Sequence, residues 1–204
     1  GARHPYSVLS FAFAAFALQK KKPALAFSET FGEVGPETHS LTALWCTERA
    51  GLVWVGLTPG EHFDIDRWLG GFLAPLQSLN LGQWFVYAQR EIPGPGWKVA
   101  WDGYLEAYHH NTVHPQTVGR YTIGNLALHD TWGPHQRMVF GRRSLSELER
   151  QPEEQWQPDL HLRRIHIGFP NLAISGILGD HCLMSQVFPG PTPGTTITRQ
   201  TVLA

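Results

Sequence analysis

Trp97-Lys-Val-Ala-Trp101-Asp102-Gly-Tyr-Leu-Glu106-Ala-Tyr108-His109-His110-Asn-Thr-Val-His114-Pro115 crowds the metal-capable side chains Asp102, Glu106, His109, His110 and His114 into one short stretch. Glu106 and His109 are three apart and share a face of a helix. His109 and His114 are five apart, about 140° around a regular helix at ~100° per residue. They converge on one ion only if the helix stops between them. Pro115 supplies a stop, because the residue before a proline is pushed out of the α region. The reading is a helix from about Trp101 to His110, then a turn that swings His114 back toward His109. Neutral imidazoles suit iron, zinc and copper, and a carboxylate as third ligand favours ferrous iron with open positions for oxygen. The plainer alternative is a helix whose C-terminal histidines complement its dipole.

Counting removes two other metal chemistries. Glu106-x-x-His109 is half of a ferritin-like di-iron site, but that site needs a second Glu-x-x-His and four long helices, and no other such pair occurs. The His-Glu-x-x-His of zinc proteases is absent.

A length of 204 residues suffices for one substantial domain or two small ones. A formal charge of -1 gives no reason to expect nucleic acid or an anionic membrane as partner. Two cysteines, Cys46 and Cys182, make no disulfide framework, so both read as buried thiols in a reducing cytoplasm. Eight Trp and eleven Phe fit a bulky core or an apolar pocket, while 21 Gly and 15 Pro favour many turns and short strands over a helical bundle.

Val8 to Leu18 is apolar and followed by Lys20-Lys-Lys22; it is too short to span a bilayer and reads as a buried strand or a short helix. Leu41 to Leu57 is strand-like with a turn near Glu48 to Gly51. Asp64 is a plausible N-cap for a helix to Leu79 with Ile65, Trp68, Leu69, Phe72 and Leu76 on its apolar face. Trp84 to Ile92 reads as a strand, and Pro93-Gly-Pro-Gly96 as a turn into the metal-site helix. The segment after His114, to Gly133, with Tyr121, Leu126, Leu128 and Trp132 among glycines, reads from its residues alone as a mobile surface loop. Val139 to Arg143 reads as a strand, and Ser144-Leu-Ser-Glu147 as a capping box opening a short polar helix. Ile165–Gly168, Leu172–Leu178, Cys182–Phe188 and Thr195–Val202 read as successive antiparallel strands. The expected fold is α+β, a twisted antiparallel sheet with helices packed on one side.

The stretch Gly96-Trp97-Lys98-Val99, then Asp102-Gly-Tyr-Leu-Glu106-Ala-Tyr108-His109-x4-His114-Pro115, resembles the iron-site segment of Rieske-type ring-hydroxylating oxygenase large subunits. The resemblance continues at Gly51-Leu-Val-Trp-Val-Gly-Leu-Thr58-Pro59, at Phe169-Pro-Asn-Leu172, and at Asp180-His181 with Gln186-Val-Phe-Pro189, and covers most of residues 28 to 204. It implies a helix-grip domain, incomplete here, in which the segment from His114 to Gly133 lines the approach to the iron as an apolar substrate wall. Residues 1–60 would be a remnant of the iron–sulfur domain and its connection, and 61–204 the N-terminal portion of the mononuclear iron domain.

The resemblance also implies roles. His109 and His114 match the two histidine ligands of a mononuclear Fe(II). Glu106 matches the acidic residue that carries electrons from a neighbouring subunit's [2Fe-2S] Rieske centre, and Asp102 stands at a supporting position that is often Asn. The third, carboxylate ligand is expected beyond Ala204, since Asp130, Asp159 and Asp180 sit in no matching segment. Tyr108 and Trp101 read as packing residues. A Rieske centre needs two Cys and two His. Cys46 is followed by Thr-Glu-Arg and Cys182 by Leu-Met-Ser, and His4-Pro5-Tyr6-Ser7 stands where the family has Cys-Pro-Tyr-His, so the cluster is expected only in a longer parent. The parent would hydroxylate an aromatic or similar apolar substrate with O2. A ferredoxin or reductase would be its electron donor, in a cytoplasmic homotrimer. The competing reading is an inert truncated relic, or a helix-grip module binding an apolar ligand without metal.

Overall fold

The computed structural model describes residues 8–11, 42–176 and 181–204, with backbone alone for 8–11. The readings of residues 1–7 and 12–41, of the last two residues of the strand expected over 172–178, and of Asp180 therefore lie outside the described residues.

Two sheets form. In the smaller, β1 (Val8–Phe11) and β2 (Cys46–Arg49) flank β3 (Leu52–Gly56), all antiparallel. The expected turn before β3 is there: Ala50 and Gly51 take φ of 57° and 75°, the pair of left-handed residues that matches the twist of a tight hairpin. A side chain at Gly51 would also meet the Gly82 backbone nitrogen at 2.5 Å, so glycine is required twice over. Along β3, Leu52 and Trp54 are buried. Cys46 corrects the expectation of a buried thiol. It is exposed, because β2 is an edge strand. Cys182 is buried, and that burial pushes its thiol up to about 11.

The Asp64 side chain accepts the Arg67 N–H at 3.0 Å and starts α1 (Ile65–Leu69). The expected long helix is interrupted at Gly70-Gly71, where a 3-10 turn (Gly70–Phe72) leads into α2 (Leu73–Gln77). The apolar stripe survives the break, with Leu69, Phe72 and Leu76 each 0 % exposed.

The larger sheet has seven strands in the order β4-β10-β9-β8-β7-β6-β5, every neighbouring pair antiparallel. They are β4 (Val86–Pro95), β5 (Thr122–Trp132), β6 (His135–Arg142), β7 (Leu162–Gly168), β8 (Leu172–Ser175), β9 (Cys182–Pro189) and β10 (Thr195–Leu203). The α+β class and the succession β7 to β10 are as the pattern predicts. One detail differs: helices cover both faces. Leu172, Ile174 and Met184 pack against Leu69, Phe72, Leu76, Leu52 and Trp54. On the opposite face Met138, Phe140, Ile165, Ile167 and Val187 pack against Trp101 of α3 (Trp97–Leu105) and Ala107. The central strands are apolar on both sides, so two layers are needed to bury them. The first core draws on residues either side of position 60.

Three local readings change. Pro93 and Pro95 belong to β4 rather than to a turn, which an edge strand tolerates because a missing N–H can face away from the ladder. The stretch 122–132 is neither loop nor pocket wall but the opposite edge strand, joined to β6 by a hairpin at Gly133. Its Leu126 and Leu128 are exposed. Ser144 caps no helix: the region is 3-10 (Arg143–Arg150), and the Ser144 hydroxyl pairs with His161 Nδ1 at 3.0 Å.

Candidate metal centre

Helix α3 stops earlier than the sequence suggests. Glu106 is already extended (φ -146°, ψ 156°), and a second short helix, α4 (His110–Val113), starts after it. Glu106 and His109 therefore do not share a helix face as expected. They meet across the break instead, Glu106 closing one helix and His109 opening the next. His114 ends α4 at φ -123°, ψ 44°, outside the α region, as the following proline requires. The two histidines bracket one helical turn, their ring centroids 5.4 Å apart and their planes at 73°.

Glu106 grips His109 with both oxygens. Oε2 accepts the His109 backbone N–H at 2.9 Å, and Oε1 pairs with ring Nδ1. Partial burial raises the Glu106 carboxyl, but the amide and ring of His109 outweigh it and hold the group below the usual carboxylate range. An ionised carboxylate only accepts hydrogen bonds, so Nδ1 carries the hydrogen and Nε2 keeps the lone pair a metal needs. The Glu106 side chain remains 42 % exposed.

A second close approach fixes this turn. After His114 the chain forms α5 (Val118–Tyr121), and Gly119 donates its N–H to the His114 carbonyl at 3.0 Å. A Cβ at Gly119 would sit 2.1 Å from the His110 carbonyl oxygen, so only glycine allows the two helices to nest.

His109, His110 and His114 line one cavity of about 420 Å³ on the α3 face of the sheet. His110 was counted among the metal-capable residues but given no role. It is buried against Phe140, with ring centroids 5.3 Å apart, and its Nδ1 has no partner. Burial, then the neighbouring His109, pushes its pKa down to about 4, so it stands neutral. The sheet supplies Phe140, Ile165, Leu183 and Gln200, with Arg163 and Arg164 at the side. None of these was singled out from sequence. The signal for Arg163 was available: it shares strand parity with Ile165 and Ile167 and so lies on their face.

Other expected positions fall elsewhere. Asp102 is exposed on α3 and does not line the cavity. Trp101 is buried as expected, but Tyr108 is 78 % exposed, turned outward by the break at Glu106. Asp130 pairs with Arg137 and Asp159 with Arg164.

Whether this donor set suits an ion can be tested on geometry. With metal–nitrogen bonds of roughly 2.1 Å, two imidazoles on one ion keep their centroids on the order of 5 Å apart, which the His109–His114 pair satisfies. Among the described residues no three His, Cys, Asp or Glu side chains are placed so that together they could hold one metal ion. The described residues thus fit the two-imidazole part of a two-His-one-carboxylate set.

A family model described as ring hydroxylating alpha subunit (catalytic domain) matches residues 82–204. Crystal structures of the quaternary ammonium Rieske monooxygenase CntA share the fold. The complex with the inhibitor MMV12 is 20 % identical with a TM-score of 0.68, covering 88 % of this chain and 47 % of that one. The complex with L-carnitine is 19 % identical with a TM-score of 0.67, covering 88 % and 46 %. The chain therefore spans about half the length of these structures. No curated protein sequence matches it. Among the described residues no helix is long and apolar enough to cross a membrane.

Proposed function

The chain belongs to the ring-hydroxylating alpha-subunit family through its catalytic domain, and from that premise we propose that it forms the histidine-bearing part of an oxygenase active site. His109 and His114 would hold a mononuclear ferrous ion through their outward ring nitrogens. The ion, when bound, supplies the reduction of O2 for hydroxylating an organic substrate. A carboxylate from chain beyond residue 204 would complete the set.

The observation that carries this reading is the two-point grip of Glu106 on His109. It fixes the tautomer and ring direction of one imidazole while His114 stands a helical turn away over the same cavity. Glu106 is also open enough to be reached from a neighbouring subunit. Delivery of electrons from that neighbour's [2Fe-2S] centre, with a ferredoxin or reductase behind it and a trimer as the assembly, rests on the family. Asp102, exposed one turn before Glu106, would then help at the subunit contact. A cytoplasmic setting fits the exposed thiol of Cys46.

The cavity carries both Phe140, Ile165 and Leu183 and the polar Gln200, Arg163 and Arg164. A purely apolar aromatic substrate leaves the polar groups without purpose. A quaternary ammonium substrate, as named for the CntA structures, would face the unpaired guanidinium of Arg163, and no carboxylate lines the cavity among the described residues.

The test is anaerobic ferrous reconstitution of the purified chain beside His109→Ala and His114→Ala variants. About one iron per chain, lost in both variants, is the expected result. Iron equal in all three would overturn the assignment, and no bound iron in any of them would leave a metal-free ligand-binding module.

A further inference from the structure

Strand β7 runs Leu162-Arg163-Arg164-Ile165-His166-Ile167-Gly168, and its two arginines differ in what they meet. Arg164 pairs with Asp159. Arg163 pairs with nothing among the described residues, and its Nε is fully enclosed without a hydrogen-bond partner. In register, Arg163 lies opposite Phe140 of β6, on the face whose next inward residue is Ile165. Burial, reinforced by the charge of nearby Arg142, depresses the guanidinium's pKa. Among the described residues Arg142 carries a second enclosed Nε without a partner, and its one hydrogen bond runs from Nη1 to the Leu160 carbonyl. Its positive charge is therefore also uncompensated on this side of the sheet.

Two neighbouring guanidinium groups that repel each other at the side of the cavity form an unfavourable arrangement unless an anion offsets their charge. A buried donor without an acceptor costs about 1–3 kcal/mol, and more when charged. Arginine's planar fork is matched by a carboxylate, which accepts two parallel N–H bonds. We propose that Arg163 is the anchor for the carboxylate of a small organic acid whose apolar body lies along Phe140, Ile165 and Leu183 toward His109 and His114. Arg142 adds positive potential behind it. This deepens the oxygenase reading by naming a substrate class, and rests on that reading for what happens to the bound molecule, but the binding itself requires no metal.

The test compares benzoate with benzamide, its neutral isostere, by calorimetric titration of the metal-free chain. Wild type is expected to bind benzoate at least tenfold more tightly than benzamide. Arg163→Met should bring benzoate down to the benzamide level without changing benzamide, and Arg163→Lys should keep part of the preference. Equal binding of the two compounds by wild type overturns the proposal without any variant having to fold. A preference that persists in Arg163→Met, or no benzoate binding at all, overturns it equally. Ferrous loading of Arg163→Met separates the two readings: retained iron with lost benzoate preference supports both. Lost iron with intact benzoate preference in wild type and none in the variant supports the anchor and sends the metal assignment back to the histidine variants.

Discussion

Both carboxylate oxygens of Glu106 are committed to His109, one to its backbone amide and one to its ring. The ring cannot turn without losing its contact with the same carboxylate that holds the start of α4 in place. Outer partners of metal-binding histidines contribute roughly 10–100-fold in metal affinity. Glu106→Ala is therefore expected to weaken Fe(II) or Co(II) binding by that factor while the far-ultraviolet spectrum stays the same. Competition with a chelator of known affinity measures it, and an unchanged affinity would show that His109 is oriented by other means.

Gly119→Ala probes the same site from behind. The new methyl carbon would lie 2.1 Å from the His110 carbonyl oxygen, backbone against backbone. Overpacking of this kind costs about 1–3 kcal/mol. The expected outcome is a lower Tm together with weakened metal binding, since His110 and His114 must move to relieve the contact. Gly103→Ala, whose Cβ meets nothing within 4 Å, is the matched control.

His135 makes stability depend on pH. Its Nδ1 accepts the Phe169 N–H at 3.2 Å, so its Nε2 carries the hydrogen donated to the Trp68 carbonyl at 3.1 Å. Burial pushes its pKa down to about 4 against the weaker opposing pull of that carbonyl, with no charged group contributing. A depressed histidine pKa means that the unfolded chain takes up the proton first as pH falls. The contribution is complete above pH ~6.5 and is lost on acidification toward pH ~4, by ~1.36 kcal/mol for each pH unit crossed between those two values. Urea unfolding at pH 7 and pH 5 should show the loss. A His135→Leu chain, less stable at pH 7, should lose less between the two.

Core and cap substitutions around α1 and α2 should separate by size. Phe72 is 0 % exposed and stacks on His135 with centroids 5.1 Å apart, so Phe72→Ala is expected to cost about 3–5 kcal/mol. Asp64→Ala removes one capping bond at an exposed helix end, for about 1 kcal/mol. Chemical denaturation of the two variants checks the ranking, and a larger loss at Asp64 would contradict the packing described for Phe72.

Patterns with a local cause were legible in the sequence. The Asp64 cap, the Ala50-Gly51 turn, the β7–β10 alternation and the departure of His114 from the helix all follow from residues near in the chain. The break at Glu106 did not, because nothing in Leu105-Glu106-Ala107 opposes a helix; the grip on His109 and the packing of Ala107 against the sheet impose it. Edge position was equally hidden. It decides that Cys46 is exposed, that Pro93 sits in a strand and that 122–132 can pair despite Gly124. Arg163 fell between these cases, with its parity readable and its lack of a partner visible only in three dimensions.

The position of β10 between β4 and β9 has a consequence for synthesis. The sheet partner of β4 in this fold is β10, which leaves the ribosome roughly a hundred residues later, about 5–20 seconds at ordinary elongation rates. During that interval β4 has no partner strand, whereas β6 to β9 can pair each with the strand before it. Assembly should therefore run from the β5 side toward β4, slowly for the chain's size because its last pairing is its most distant. The histidine turn, made early, would be completed only when the final described strand arrives.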